Sequence, residues 1–564
     1  AFLASARVGP LCPVPLATPR GSMAPSGEPM AGGAEHKTFA FVFGMASGHL
    51  NPSLPVARAL RGLGHEVHYL CPEQFRAAIE GTGAELHADV DVEPELFEGR
   101  EPDIMGAQAT LALEHGLGGE SLIQHITKLM PLSTELRLPG LLRWLRRIRA
   151  SAVMYCPMMS PEGAYGARVL GIASVALLTI AGPGAMAHLL EELSASGCIT
   201  PEEVCAQALG FRPRTEAIGR VNLAFGQELL RARDLTRPFG KMDVLRHSDV
   251  TLVTTIEELQ DAAPHELLDA YLEDGVRFEA VGPLVAAHGA VRAAGHRFAA
   301  EGEQHHEDEA AQAAAIMAEV LRARAAGRPV VLVSMGTVLT GDSPDVGWAA
   351  RRQGSDGAPR GFSGAELCRA AWGGAFDAFG RGAAGEGPLL VVALGPQPRP
   401  LGDLALPANA VSAPFVPQVD VLAAGVTAFL SHGGQNSFTE SLAAGAPLVV
   451  CPGFGDQPAN AAKADAIGVG LQVPRPDPDA GGELAAMAAY RAEVAAALRR
   501  VASEPEFAAT AGRFAARLRQ AGGVRRAVDL TLAAASRTRS AQDDCSATTV
   551  QLPASAKIAP AGGA

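Results

Sequence analysis

The sequence lacks a run of about 18 apolar residues, the length that a helix needs to span a bilayer, so no transmembrane helix is expected. It also lacks any CxxC pair, and its eight cysteines are scattered over 564 residues. A chain of this length does not need disulfides to stabilise a core, so reduced thiols in a reducing compartment are expected. The net charge of −13, without a prominent basic patch, argues against a nucleic-acid-binding surface.

The two ends of the chain have compositions that favour disorder. Residues 1–37 are rich in alanine, proline, glycine and serine, and Glu28 is their first acid. Such a stretch is typical of an unstructured leader or of the remnant of a transit peptide. A transit peptide would place the protein in a plastid or another organelle, and otherwise a cytoplasmic location is expected. The tail, residues 536–564, is also expected to be disordered.

Short apolar runs alternate with helical patterns along the rest of the chain. Strand-length runs occur at 39–45, 66–72, 249–255, 329–337, 388–395, 410–416, 428–434 and 446–453. Strands that alternate with helices through short connections predict parallel βαβ units, and therefore an α/β fold with doubly wound sheets.

These runs divide into two units joined by a linker. An N-terminal domain is expected over 38–285, a linker with one helix over 286–328, and a C-terminal domain over 329–535. The segment from about 185 to 245 is mostly helical in pattern and suits a substrate-specific insertion. The polar residues 341–357 are predicted to form an extended surface loop.

The segment AFLSHGGQNSFTESLAAG (428–445) combines several features of an anion site. A short strand runs through His432 and two glycines into a helix, where Asn436 and Ser437 are good N-cap residues. The free N–H groups and the positive dipole end of a helix suit a phosphate. Glu440, one turn along, could accept hydrogen bonds from the two hydroxyls of a ribose. Taken alone, an ordinary glycine turn explains the segment equally well.

Two further anchors flank this segment, PFVPQVDVL (414–422) and GDQPANAAKA (455–464). Together the three resemble the donor-binding motif of the family 1 UDP-glycosyltransferases, in residue types and in spacing. The resemblance extends over roughly residues 38–535. It implies the GT-B architecture, in which two Rossmann-like domains face each other across a cleft. The first domain would bind the acceptor and the second the UDP-sugar.

The resemblance also implies roles for individual residues. Phe415 would stack on uracil, Gln418 would meet the base or the ribose, and Glu440 would bind the ribose. Asp456 and Gln457 would hold sugar hydroxyls, and a glutamine at this position resembles that of glucose-transferring relatives. The remaining residues would lie near the diphosphate: Gly336, Thr337, His432, Gly434, Asn436 and Ser437.

The start of the first half carries a second resemblance to the same family, FAFVFGMASGHLNPSLPVARAL. It implies that His49 is the general base that removes the proton of the acceptor hydroxyl. An alcohol is a poor nucleophile, and a histidine has a pKa near the working pH, so the assignment is chemically sensible. In-line attack on the anomeric carbon would invert its configuration.

The sequence departs from the family at the acid that usually orients this histidine. Cys156 or Pro157 stands where the family has an aspartate, and the acids nearby in sequence are Glu162 and Asp103. Glu162 is the substitute that we consider first. Either another carboxylate takes over, or the enzyme is slower, or the acceptor is acidic enough to need little help. The residues alone leave these alternatives open.

Candidate metal motifs are weaker. Two DxD strings, 89–91 and 477–479, lie in a variable stretch and a proline-rich loop, and the cluster 305–309 lies in the linker, so chance and a solvated surface explain them better. Family transferases of this type need no metal and no cofactor, since the UDP-sugar is a co-substrate.

The function implied is inverting transfer of a hexose, expected to be glucose, from UDP to a hydroxyl of a small lipophilic acceptor. The missing acid keeps a second alternative open, a non-catalytic or weakly active nucleotide-sugar-binding protein. A nucleotide-sugar epimerase fits less well, because it does not account for the Gly-His loop.

Overall fold

The computed structural model describes residues 35–537 except 45, 121, 196–198, 234–236, 294–303, 354–357, 384 and 478–482. All helices and strands of the described residues lie in the unit that begins at Lys37. The predicted leader, up to residue 34, and the predicted tail, from residue 538, lie outside the described residues.

Seven strands come from the first half of the chain: β1 (Thr38–Val42), β2 (Glu66–Cys71), β3 (Glu85–Ala88), β4 (Ala152–Tyr155), β5 (Ala173–Leu178), β6 (Val250–Val253) and β7 (Phe278–Ala280). They form one parallel sheet in the order β3-β2-β1-β4-β5-β6-β7. Strand β1 is mostly apolar, and its alternate residues pack into two different cores. Ala40 and Val42 lie on one face of the sheet, and Phe39 and Phe41 lie on the other. A strand buried on both faces is typical of a parallel sheet covered by helices.

The helices of this half surround the sheet: α1 (Ser47–Leu50), α2 (Ser53–Gly62), α3 (Arg76–Glu80), α4 (Asp89–Val92), α5 (Pro94–Phe97), α6 (Ile104–Glu114), α7 (Leu122–Arg147), α8 (Glu162–Leu170), α9 (Ala185–Ala195), α10 (Pro201–Gly210), α11 (Arg212–Phe225) and α12 (His265–Glu273). Helix α13 (Gln304–Ala325) leads to the second half. The predicted helical segment from about 185 to 245 corresponds to α9, α10 and α11.

The second half has eight strands among its described residues: β8 (Val330–Ser334), β9 (Arg351–Gln353), β10 (Pro359–Ser363), β11 (Leu389–Ala393), β12 (Ala410–Ala413), β13 (Ala428–Ser431), β14 (Leu448–Val450) and β15 (Gly470–Gln472). Six of them form a second parallel sheet in the order β12-β11-β8-β13-β14-β15. The α/β class and the two sheets are therefore as predicted, whereas the exact domain boundaries stay a prediction.

Seven helices belong to this half: α14 (Gly364–Phe379), α15 (Gln418–Ala423), α16 (Gln435–Ala444), α17 (Gln457–Ala466), α18 (Glu483–Ser503), α19 (Pro505–Gln520) and α20 (Gly523–Arg537). Helix α20 returns to the first sheet, since Ala527 and Val528 belong to the same buried cluster as Phe39. Among the described helices, none has the length and apolarity required to cross a membrane.

The predicted surface loop at 341–357 is wrong in part. Strand β9 starts within it and pairs in antiparallel fashion with β10, which gives a hairpin. Phe362 of β10 is buried in the core of the second half, so the hairpin is anchored by apolar packing rather than fully solvated. A short strand of arginines carries no apolar alternation, which explains why the sequence did not indicate it.

A buried ion triad fixes helix α7 to two neighbouring segments. Arg137 of α7 pairs through Nε with Glu93 Oε2 at 2.6 Å and through Nη1 with Glu162 Oε1 at 2.8 Å. All three side chains are almost completely inaccessible to solvent. Burial raises the pKa of both carboxyl groups, and the charge of Arg137 opposes that rise. Removing the cation would leave two buried carboxylates without their partner.

We therefore predict that Arg137→Met lowers the free energy of unfolding by about 3–5 kcal/mol. Urea denaturation at neutral pH measures this change. Arg143→Met is the matched control on the same helix, because Arg143 pairs with Glu95 at the surface, 2.7 Å away. An exposed pair contributes at most about 1 kcal/mol. Equal losses in the two variants would contradict a structural role for the triad.

Candidate active site

The predicted motifs lie at the topological switch points of the two sheets. In the first sheet the strand order reverses between β1 and β4, and α1, which carries His49, follows β1. In the second sheet it reverses between β8 and β13, and the loops that follow them carry Gly336 and His432. Ligands of open α/β sheets bind outside the carboxyl ends of the strands at such points, so these residues stand where a ligand is expected.

The loops from the two halves meet at one cavity. Asn436 Nδ2 donates a hydrogen bond of 2.5 Å to Gly48 O, which holds the residue before His49 against the first turn of α16. The adjoining cavity has a volume of about 850 Å³. It is lined by twelve of the thirteen residues that the sequence predicted for the site: His49, Gly336, Thr337, Phe415, Gln418, His432, Gly434, Asn436, Ser437, Glu440, Asp456 and Gln457.

His49 has two neutral neighbours at its Nδ1 atom. Thr179 Oγ1 lies 2.8 Å away and Cys156 Sγ lies 3.3 Å away. Burial lowers the pKa of His49 from 6.5 to about 4. The imidazole is therefore neutral at physiological pH, which is the form that can accept a proton.

Thr179 can set the tautomer of His49. For Nε2 to accept a proton, Nδ1 must carry the ring hydrogen, and the Thr179 hydroxyl can accept a hydrogen bond from it. A neutral oxygen stabilises the imidazolium less than a carboxylate would. The sequence analysis did not single out Thr179. The available signal was its position directly after β5, the strand beside β4, where Cys156 likewise comes directly after the strand end.

Glu162 is not the orienting acid, and this corrects the sequence-based assignment. Its carboxylate is buried against Arg137, and it is not among the residues that line the cavity. Asp103 is also engaged elsewhere, since its side chain caps α6 by accepting a hydrogen bond from Gly106 N. Cys156, one of the two residues that the sequence places at the position of the family's aspartate, lies 3.3 Å from His49 Nδ1 through its Sγ atom.

Gly336 and His432 are in close contact beneath the cavity. Gly336 has a φ of +76°, and a Cβ placed on it would lie 2.5 Å from His432 Nε2, so only glycine fits. Burial lowers the pKa of His432 to about 4. Its Nδ1 is buried and has no hydrogen-bond partner among the described residues. The residue lines the cavity, whereas its Nδ1 atom is shielded from solvent.

The first turn of α16 differs in detail from the prediction. Gly434, rather than Asn436 or Ser437, is the N-cap residue, so both polar residues lie inside the first turn. Gln418 Nε2 donates to Ser437 Oγ at 3.1 Å and to Glu440 Oε2 at 2.8 Å. These contacts place the predicted base- and ribose-binding residues side by side.

Gln435 is a candidate that the sequence analysis missed. It starts α16 and lines the cavity, and both polar atoms of its buried amide lack a partner among the described residues. Its backbone N–H donates to Asp456 Oδ2 at 2.9 Å. Burial raises the pKa of Asp456 to about 6. The signal in the sequence was the place of a polar residue directly after His432-Gly433-Gly434.

Gln457 contributes to the site with only part of its amide. Its Oε1 accepts hydrogen bonds from Gly453 N at 2.8 Å and from Phe454 N at 3.3 Å. The carbonyl thus fixes the loop before α17, and the Nε2 group is the atom suited to a sugar hydroxyl. Phe415 and Thr337 also line the cavity.

Residues 286–293, which precede α13, lie along the cavity, and one of them forms an ion pair with Glu440. Arg292 Nη2 contacts Glu440 Oε1 at 2.6 Å. Asn51 fixes the end of the segment through two hydrogen bonds with the backbone of Ala293, and Asp420 accepts one from His288 Nδ1 at 2.7 Å. A ribose that binds Glu440 must therefore compete with Arg292.

Comparisons with known proteins support the donor half most directly. Residues 397–502 match the family model described as "UDP-glucoronosyl and UDP-glucosyl transferase". A human protein, UDP-glucuronosyltransferase 3A2, is 42% identical over 74 residues, which is 13% of this chain and 14% of that protein. The NDP-glycosyltransferase YjiC of Bacillus subtilis is 41% identical over 70 residues, 12% of this chain and 18% of that protein. The matched part thus spans less than a fifth of either relative.

Solved structures resemble the chain over most of its length. The glycotransferase of kitacinnamycin aligns with a TM-score of 0.54 and 23% identity, over 88% of this chain and 99% of that chain. The calicheamicin glycosyltransferase CalG4 aligns with a TM-score of 0.53 and 19% identity, over 89% and 99%. At these identities the likeness concerns the fold, and it confirms the GT-B architecture.

We predict that Arg292→Ala tightens UDP binding, because Glu440 no longer has to leave an ion pair of 2.6 Å before it accepts the ribose hydroxyls. A contribution of about 1–2 kcal/mol corresponds to roughly a 5- to 30-fold lower Kd. Isothermal titration with UDP measures it. Arg322→Ala is the control, since Arg322 forms an exposed pair with Glu319 on α13. Weaker binding by Arg292→Ala would show that Arg292 contacts the nucleotide instead.

Proposed function

The chain carries a family 1 UDP-glycosyltransferase segment over residues 397–502 on a GT-B fold, and we propose that it transfers a hexose from UDP to a hydroxyl of a small acceptor. The observation that carries the proposal is the hydrogen bond between Asn436 and Gly48. It brings the loop of the base His49 and the donor-binding turn to the same cavity. The matched part of the curated relatives is short, so the activity of the whole chain is our inference.

The donor would bind along the second half. Phe415 stacks on uracil, Gln418 and Glu440 bind the ribose, and the first turn of α16 receives the diphosphate. The helix dipole and the free N–H groups at this end favour negative charge. These groups can stabilise the leaving UDP without a resident cofactor or a metal at the donor site.

The transfer step follows from the position of His49. Its Nε2 takes the proton of the acceptor hydroxyl while the acceptor oxygen bonds to the anomeric carbon. The bond from that carbon to the diphosphate oxygen breaks on the opposite side, and UDP leaves with the electron pair. Attack opposite to the leaving group inverts the configuration. Thr179 holds His49 in the required tautomer through the 2.8 Å contact at Nδ1.

The cavity also suggests the classes of sugar and acceptor. Asp456 and the Nε2 group of Gln457 are suited to sugar hydroxyls, and we propose glucose as the transferred hexose. Near His49 the cavity wall includes the side chains of Met158, Ile180 and Leu189. Apolar walls with few polar groups favour a lipophilic acceptor. A cytoplasmic location stays a prediction.

A second function is favoured by one specific observation. The neighbours of His49 Nδ1 are a hydroxyl and a thiol rather than a carboxylate. A protein with this arrangement could bind a nucleotide-sugar without transferring it efficiently. Mass-spectrometric screening of hydroxylated apolar acceptors with UDP-glucose separates the two, since a non-catalytic binder yields neither a glycoside nor free glucose.

The roles proposed for Glu440 and His49 predict different effects when each residue is replaced by alanine. Glu440→Ala should weaken UDP binding by about 2–3 kcal/mol, because it removes a charged acceptor of the ribose hydroxyls. His49→Ala should leave UDP binding unchanged and lower kcat by a factor of about 10²–10⁴. Titration calorimetry and a transfer assay measure the two quantities, with the exposed Glu506→Ala as a control. If transfer survives in His49→Ala, His49 is not the base.

The pH profile tests the environment of His49. A base with a pKa of about 4 is neutral above that value and becomes protonated as the pH falls through it. We therefore expect kcat/KM to be level between about pH 5 and 8 and to fall below that range.

Cys156→Asp would place a carboxylate beside Nδ1 and raise the pKa of His49, so the acidic limb should move towards about pH 6. Thr179→Val should lower kcat about tenfold with UDP binding unchanged. If the activity of the wild type falls at a pH near the ordinary pKa of histidine, the inference that burial without an acid partner lowers the pKa of His49 is wrong. Circular dichroism at each pH excludes unfolding as the cause.

A further inference from the structure

Two histidines and a glutamate converge on the edge of the first sheet. His68 lies on β2, and Glu85 and His87 lie on β3, the edge strand. None of the three lines the cavity described above. The sequence did not indicate β3 as a strand, because four residues are too short a run for their alternation to stand out, and so no metal ligand was expected here.

The strand register explains why these side chains meet. The strands are parallel, with His68 opposite Glu85 and Leu70 opposite His87. Residues two apart on a strand point to the same face, so His68, Glu85 and His87 share one face of the sheet. The side chains of His68 and His87 are about 15% exposed, whereas Glu85 is 63% exposed, so the group is fixed on one side and open to solvent on the other.

Possible donor atoms of the three residues lie close together in pairs. His68 Nδ1 lies 3.0 Å from His87 Nε2, Glu85 Oε2 lies 3.4 Å from His68 Nδ1, and Glu85 Oε1 lies 3.4 Å from His87 Nε2. In a tetrahedral zinc site with metal–ligand bonds of about 2.0–2.1 Å, neighbouring donor atoms are about 3.3 Å apart. The distances between the side chains are thus close to those between the ligands of such a site, and one ligand atom from each residue lies within 4.8 Å of the others.

We propose that His68, Glu85 and His87 bind a zinc ion, with the fourth position open to water. Imidazole and carboxylate are ligands that Zn²⁺ prefers, and two histidines with one glutamate are a known zinc donor set. Because the site lies outside the cavity, its role is separate from sugar transfer. It would join the edge strand β3 to β2.

Surrounding groups support the ligands. His68 Nε2 lies 3.9 Å from Glu66 Oε2, which accepts a hydrogen bond from Thr38 Oγ1, so a carboxylate is close to this ring nitrogen without a direct hydrogen bond to it. The ring of His87 packs edge-on against Trp144 of α7, with ring centroids 5.6 Å apart, which limits its rotation. Of the nearby cations, Arg76 is already paired with Glu73 and Glu80, while Arg147 lies at the exposed end of α7.

A competing interpretation is a metal-free hydrogen bond between the two imidazoles. One neutral ring can donate to the other at 3.0 Å, and Glu85 would then be an ordinary surface acid. This interpretation predicts that Zn²⁺ has no saturable effect on the protein. Zinc bound to all three residues would instead stabilise the folded state, because the ligands converge only when β2 and β3 are paired.

The test uses the full chain without an affinity tag and with bound metal removed by a chelator. Calorimetric titration with Zn²⁺ should give about one equivalent of saturable binding, and Zn²⁺ should raise Tm. Titration with Co²⁺ should give visible absorption of a tetrahedral ion without a thiolate charge-transfer band. Glu85→Gln and His87→Gln should each weaken zinc binding at least about tenfold, with an unchanged circular dichroism spectrum.

Two controls separate this site from other histidines. His265→Gln removes an exposed histidine from the start of α12 and should leave zinc binding unchanged. A variant with His305→Ala and His306→Ala tests the histidine pair of the linker. The proposal is overturned if the wild type shows no saturable binding, if Glu85→Gln and His87→Gln bind as the wild type does, or if the linker variant alone abolishes binding.

Discussion

The hydrogen bond from Asn436 to Gly48 is the contact on which the candidate site depends. The two residues are 388 positions apart in the chain, and each lies in a loop or first helical turn at the carboxyl end of a parallel sheet. Each sheet alone offers a crevice at its switch point. Only their apposition places the neutral imidazole of His49 opposite the first turn of α16, and this arrangement gives the cavity two chemically different walls.

Charge within this architecture is neutralised by specific partners rather than by solvent. Arg137 balances two buried carboxylates in the first half, and Arg292 balances Glu440 at the cavity. The two arginines differ in how far their side chains are exposed to solvent. The Arg137 triad is sealed and therefore structural, whereas Arg292 is a quarter exposed and its partner lines the cavity, so a ligand can replace it.

The environment of His49 differs from that of a histidine paired with a carboxylate. A carboxylate would raise the pKa of the ring and stabilise its protonated form. A hydroxyl and a thiol leave burial as the dominant influence, which lowers the pKa to about 4. This arrangement keeps the base neutral but provides less stabilisation once the proton has been transferred. An acceptor with a relatively acidic hydroxyl would suit it best.

The sequence by itself determined the α/β class, the two sheets and twelve of the residues that line the cavity, because apolar runs and a glycine-containing turn with spaced polar residues are local features. It failed where function depends on distant partners. Thr179 contacts His49 from the end of the neighbouring strand β5. Glu162 forms an ion pair with Arg137 and therefore does not contact His49, and Arg292 pairs with Glu440 from a different segment. Strand β3 was missed because its alternating pattern extends over only four residues, and with it the cluster of His68, Glu85 and His87. Hydrogen bonds and ion pairs between residues far apart in the chain depend on how the elements pack, so only the tertiary structure decided them.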